Sequence, residues 1–231
     1  MIELIDPTKI KILVTDDNEV NLKIITAILK KNGYNAIAAI DGAVCIELAK
    51  IHKPDIILLD INMPQIDGIE ACKILKQDEL TKNSIIIFVT AATDARTLQS
   101  AFEAGGSDYV KIPLNKTELL ARIKSALTQK MLTNIFLEQE KLAGVLEMAG
   151  AISLELTKPM ETILSNIEFI SSKIKPENNF YNDFTKIKKQ YVRMRQIVSK
   201  LMNITKYETK DYIKGKKIID LDKASSGGMV I

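Results

Sequence analysis

The first 128 residues contain five short apolar runs, each followed by a stretch whose apolar residues recur every three or four positions. The runs are Lys11–Thr15 and residues 35–40, 56–60, 85–89 and 109–112. Helical spacing follows each. Val20, Leu22, Ile24, Ile25, Ile28 and Leu29 come after the first run, and residues 42–51 after the second. Ile69, Ile74 and Leu75 follow the third, Leu98 and Phe102 the fourth, and Leu119, Leu120, Ile123 and Leu127 the fifth. Asn32-Gly33 and Gly105-Gly106 are helix stops. Strict alternation of this kind predicts an α/β fold with a doubly wound, five-stranded parallel sheet. Ile56-Ile57-Leu58-Leu59 has no polar alternation, which predicts a central strand buried on both faces.

The acids sit where such a sheet does its chemistry. Asp16 and Asp17 close the first run and Asp60 the third. With strand order 2-1-3-4-5 these strands are neighbours, and their C-terminal ends flank the ligand crevice of an open α/β sheet. Three carboxylates there repel one another unless a hard cation lies among them. An all-oxygen set suits Mg²⁺, which keeps several waters and shares a phosphoryl oxygen. Thr90 ends the fourth run and adds a hydroxyl beside the third. Alone, Asp60 reads equally as a turn or cap acid; its neighbours point to chemistry.

Five separated motifs then carry a family likeness: Asp16-Asp17, Asp60-x-Asn62-Met63-Pro64 with Gly68, Thr90-Ala91, Ala104-Gly105-Gly106-x-Asp108-Tyr109, and Pro113. In order and spacing they resemble the receiver domain of two-component response regulators, over about residues 9–128. The resemblance implies a flavodoxin-like fold and a cognate histidine kinase as partner. It implies Asp60 as phosphoacceptor, with Mg²⁺ held by Asp16, Asp17, Asp60 and the backbone carbonyl of Asn62. It also implies Thr90 and Tyr109 as the pair that rearranges on phosphorylation. One position departs. The family has lysine immediately before the last proline, whereas this chain reads Lys111-Ile112-Pro113. Ile112 takes the lysine's place, and Lys111, one residue early on a period of two, is expected on the opposite face. The expectation is an intact acceptor and metal site with weakened switching.

From Met131 the pattern changes. Met131, Ile135, Leu142, Val145, Ala149, Ile152, Leu156 and Ile163 fall on steps of three and four, interrupted at Glu138 and Pro159. After a breaker at Pro176, Phe180, Phe184, Ile187, Tyr191, Met194, Val198 and Leu201 continue the rhythm. This predicts an all-α helical hairpin over residues 129–207 with coiled-coil seams. A lone hairpin cannot cover such a stripe. Pairing through residues 131–205 into a homodimeric four-helix bundle would cover it, and so would folding back on the first domain. Residues 208–231 read as a loose tail with room for one short strand.

Residues 149–167, AGAISLELTKPMETILSNI, resemble the dimerisation and phosphoacceptor helix of histidine kinases. Glu155 matches the acid after the histidine and Pro159 the proline; Leu154 stands in the histidine's place, and Lys158 where Asn or Thr is usual. Leucine takes no phosphoryl group, so the hairpin is read as a degenerate, non-catalytic dimerisation element. In the 3–4 register Leu154 faces outward.

Composition bounds the rest. The 231 residues are 46% apolar and 26% charged, which is enough to bury a core. Net charge is +3, with the basic excess beyond residue 128, too weak to imply nucleic acid, and no DNA-reading motif is present. No apolar run approaches the roughly 18 residues of a membrane span, and no signal peptide opens the chain, so a cytoplasmic protein is expected. Cys45 and Cys72 fall on amphipathic helices and read as reduced core thiols. His52, the single histidine, reads as a helix-end residue. The sequence thus reads as a non-enzymatic response regulator signalling through protein contacts. The alternatives are a degenerate histidine kinase or phosphotransfer protein and, further off, a nucleic-acid-associated regulator.

Overall fold

The structure, a computed structural model, describes residues 6–91, 94–175, 179–204, 208–213 and 216–225. The breaker at Pro176 and the end of the tail lie outside them. The chain divides into two compact units, Met1–Leu132 and Thr133–Ile231.

The first unit is the doubly wound sheet. Strands β1 (Lys11–Thr15), β2 (Asn35–Ala39), β3 (Ile56–Leu59), β4 (Ile85–Thr90) and β5 (Asp108–Lys111) alternate with helices α1 (Glu19–Lys31), α2 (Gly42–His52), α3 (Gly68–Gln77) and α4 (Ala95–Glu103). All four ladders are parallel, in the order β2-β1-β3-β4-β5. Short polar side chains start the helices. Asn18, Asp41, Asp67 and Asp94 accept hydrogen bonds from the amides of Val20, Val44, Glu70 and Thr97, satisfying donors that have no partner inside a helix.

β3 shows why a short apolar run suffices. Ile56 and Leu58 pack with Leu22, Ile25, Leu29, Leu119 and Ile123 on one face of the sheet. Ile57 and Leu59 pack with Cys45, Ala71, Cys72 and Leu75 on the other. Each fully buried branched side chain contributes about 1.5–3 kcal/mol before entropy is counted. Both cysteines are free and buried, and burial pushes each thiol up to about 11.

Helix α5 runs without a break from Lys116 to Ser171. Its first part, to Leu132, belongs to the first unit, where Leu119, Ile123 and Leu127 are buried and the Lys130 ammonium pairs with Asp55 at 3.1 Å. No Gly or Pro stands between Lys116 and Met131, so nothing local stops the helix near residue 128, where the sequence pattern changes.

In the second unit the rest of α5 meets α6 (Tyr181–Met202) where Met160 and Ile167 pack with Tyr191. The expected seam keeps Leu142, Val145 and Ala149, and its phase shifts elsewhere: Ser153, Met160 and Ile167 are buried, whereas Ile135, Ile152, Leu156 and Ile163 are exposed. Apolar residues on two adjacent faces of α5 leave the 3–4 rhythm unable to say which face turns to α6. The tail also differs. Strands β6 (Thr209–Ile213) and β7 (Lys216–Ile219) form an antiparallel pair, followed by a short helix α7 (Leu221–Ala224). Ile219, Leu221 and Ala224 pack with Ala149 and Ile204, and Ser225 bridges back to Ile204. This lysine-rich stretch carries too few apolar positions for its pairing to be read from pattern.

Candidate functional site: an acidic crevice at the end of the sheet

β1 and β3 end side by side, and their final turns deliver the acids. The Asp60 amide donates to the Thr15 carbonyl at 2.9 Å, which carries the β1–β3 ladder one residue past the end of β3. The chain then folds tightly, with the Met63 and Gly68 amides both donating to the Ile61 carbonyl. The result places one carboxylate oxygen each from Asp16, Asp17 and Asp60 within 4.8 Å of one another. Asp16 is buried, Asp60 is 8% exposed and Asp17 is open to solvent.

Asp16 is held by one oxygen only. Its Oδ1 accepts from the Asn18 amide at 2.8 Å and from Asn21 Nδ2 at 3.2 Å, whereas Oδ2 is buried without a hydrogen-bond partner. An orphaned buried carboxylate oxygen is costly, and a cation is the partner it lacks. Burial, opposed by those two hydrogen bonds and helped by Asp17, raises the Asp16 carboxyl above its ordinary value. Asp60 goes further. Burial first, then the neighbouring Asp16, push it up to about 6, although the amides of Asn62 and Ile61 donate to it.

The remaining expected positions separate into those beside the crevice and those elsewhere. Thr90 is fully buried at the end of β4, next to β3. Tyr109 lies on β5, half-buried, its ring edge-on to Phe102 with centroids 6.2 Å apart. Asn62 follows Asp60 in the tight loop, its amide directed at that carboxylate. Ile112 packs into the apolar layer with Val110 and Leu119. Lys111 is exposed at the end of β5, paired through its backbone with Thr90, and forms no ion pair with any described residue. On α5, Leu154 is 75% exposed, which is the outward placement expected of it, and Glu155, Lys158 and Pro159 are exposed too. Sequence reasoning overlooked Asn21, one turn into α1, and the buried Ser153, whose hydroxyl has no partner.

An acidic crevice at the C-terminal end of a 2-1-3-4-5 parallel sheet lies where open α/β sheets of this class bind their ligands. A sequence profile of the response regulator receiver domain matches residues 12–124. DivK, a polar-differentiation response regulator of Brucella anthropi, is 31% identical over 116 residues, which are 50% of this chain and 94% of DivK. The response regulator PleD of Caulobacter vibrioides is 33% identical over 144 residues, 61% of this chain but 32% of PleD. PhoP of Bacillus subtilis, a transcriptional regulator of alkaline phosphatase synthesis, is 38% identical over 117 residues, 51% of this chain and 48% of PhoP. This chain therefore spans about a third of PleD and half of PhoP. A signal receiver domain from Vibrio parahaemolyticus shares the fold, with a TM-score of 0.51 and 19% identity over 55% of this chain and 95% of that one. The chain belongs to the response regulator receiver family.

Proposed function

We propose that this chain is a response regulator of a two-component phosphorelay that takes a phosphoryl group onto Asp60. The donor is the phosphohistidine of a cognate histidine kinase. One Asp60 carboxylate oxygen attacks phosphorus, the P–N bond to the imidazole breaks, and the imidazole leaves with the bonding pair. The observation that carries this reading is the three-carboxylate cluster with a buried, unpartnered Asp16 Oδ2. Those oxygens suit Mg²⁺, held by Asp16, Asp17, Asp60 and the Asn62 carbonyl; when bound, it neutralises charge on the phosphoryl oxygens. Asp60 attacks as the carboxylate, the form a bound Mg²⁺ would favour against the burial and the Asp16 charge that raise its pKa. Thr90 and Tyr109 form the switch pair. With Ile112 in the lysine's place, the ammonium that would link phosphoryl oxygens to that pair is missing, and coupling is weak.

The output is protein contact, not catalysis. Leu154 occupies the phosphoacceptor position of a kinase-like helix and cannot be phosphorylated, so residues 129–207 serve as a dimerisation element through residues 131–205. Glu155, Lys158 and Pro159 keep the outline of the phosphoacceptor helix without its chemistry. No helix among the described residues is long and apolar enough to cross a membrane. The test is transfer from a radiolabelled phosphohistidine kinase. Label should move to this chain in Mg²⁺ and not after chelation. Label taken directly from ATP onto the hairpin, with no kinase present, would replace this reading with a catalytic one.

A further inference from the structure

The hairpin carries two apolar stripes, and among the described residues one is buried and the other exposed. The seam between α5 and α6 buries Met160, Ile167 and Tyr191, with Phe184 and Val198 packed against them. A second set stays open. On α5 Leu156, Ile163 and Ile170 are 37%, 41% and 37% exposed, and on α6 Phe180, Ile187 and Met194 are 69%, 50% and 45% exposed. Both triplets repeat every seven residues, the spacing of a supercoiled bundle seam.

Their positions relative to the seam fix which way they point. Each open residue lies three after or four before a seam residue: Ile163 follows Met160 by three and precedes Ile167 by four, and Ile187 stands in the same relation to Phe184 and Tyr191. On an α-helix either step rotates the side chain by about 40–60° in the same sense. Two antiparallel helices packed seam to seam, each rotated in that sense, bring both triplets to one side of the hairpin. The opposite steps, four after or three before, lead to Thr157, Leu164, Arg195 and Met202, which line a groove of about 500 Å³ between the helices on the other side.

We infer that the uncharged side, centred on Ile163 and Ile187, is a two-fold interface with a second copy of this chain, and that the groove side stays open in the dimer. This rests on the reading of the hairpin as a dimerising element and states which face does it. Three features favour a second copy as occupant. Both triplets are free of charge and of polar specificity, which suits isologous pairing of like with like. Typical side-chain areas scaled by these exposures give roughly 600 Å² per copy, about 1,200 Å² in all, the lower end of a stable interface. Finally, α6 is strongly basic whereas residues 147–168 of α5 are mainly acidic, and a two-fold four-helix bundle sets α6 of one copy beside α5 of the other.

The test is sedimentation of the full chain at about 10 μM, with far-ultraviolet circular dichroism on every variant. Wild type should sediment as a dimer. Ile187→Glu and, separately, Ile163→Glu should weaken association at least tenfold at unchanged helicity, because both side chains are surface residues of the single copy. Met202→Glu, on the groove side, should leave the dimer intact. A dimer that survives both stripe variants and dissociates with Met202→Glu would overturn the face assignment while sparing the dimer. A monomeric wild type would overturn the dimer itself. Loss of helicity in both stripe variants would show these residues holding the hairpin together, and would also overturn the proposal.

Discussion

Gly68 backs directly onto Asp60. A Cβ placed on Gly68 would lie 2.0 Å from the Asp60 carbonyl oxygen, while the Gly68 amide donates to the Ile61 carbonyl at 2.9 Å. The loop after Asp60 is closed by a residue that must have no side chain, eight positions after the acid it supports.

Gly68→Ala is therefore expected to force the loop apart. Overpacking a close contact costs about 1–3 kcal/mol, and here the neighbour is backbone, which cannot rotate away. Thermal unfolding should show the loss, and Mg²⁺ affinity should fall with it because Asp60 is displaced. Wild-type stability and Mg²⁺ affinity in Gly68→Ala would refute the tight approach.

The contribution of Asp60 to the stability of the metal-free receiver, read as the difference between wild type and Asp60→Asn, should fall as pH rises toward 6. Burial and Asp16 lift Asp60 from an ordinary 3.8 to about 6, so the folded chain holds a proton that the unfolded chain releases. The stabilisation is complete below the unfolded value and is lost through the window between the two. Asp16 shifts in the same direction. Saturating Mg²⁺ favours the charged carboxylates, so the slope should reverse. Denaturant midpoints from pH 4 to 7, with Mg²⁺ and with chelator, provide the comparison.

Ile112→Lys should strengthen the response to phosphorylation, because the wild-type side chain at this position packs into the apolar layer and carries no charge. The readout is amide exchange over β4 to β5 before and after phosphorylation. A large phosphorylation-dependent change already present in wild type would mean that Lys111 reaches the site.

Ser153→Ala should stabilise the hairpin. Its hydroxyl is buried without a partner, and an unsatisfied buried polar group costs about 1–3 kcal/mol. A raised unfolding midpoint for the hairpin is the expected result; a lowered one would show a hydrogen bond made through water.

The sheet was legible because each strand is short, apolar and closed by a polar residue, and the acids converged once the strands had an order. Asp16, Asp17 and Asp60 needed nothing beyond strand position. The hold of Asn21 on Asp16 was not legible, because an asparagine one turn into a helix looks like any surface residue. On α5 the apolar residues span two faces, so periodicity alone could not separate Met160, turned to α6, from Ile163, turned away from it. The β6–β7 pair was hidden by its lysines, since pairing there depends on long-range contacts of Ile219 and Ala224 with Ala149.

Asp60 as the phosphoryl acceptor is tested most directly by intact mass after incubation with a small-molecule phosphodonor and Mg²⁺. Wild type should gain one phosphate, Asp60→Asn none, and wild type in chelator none. Equal phosphate on Asp60→Asn and wild type would contradict the assignment, and with it the reading of the crevice.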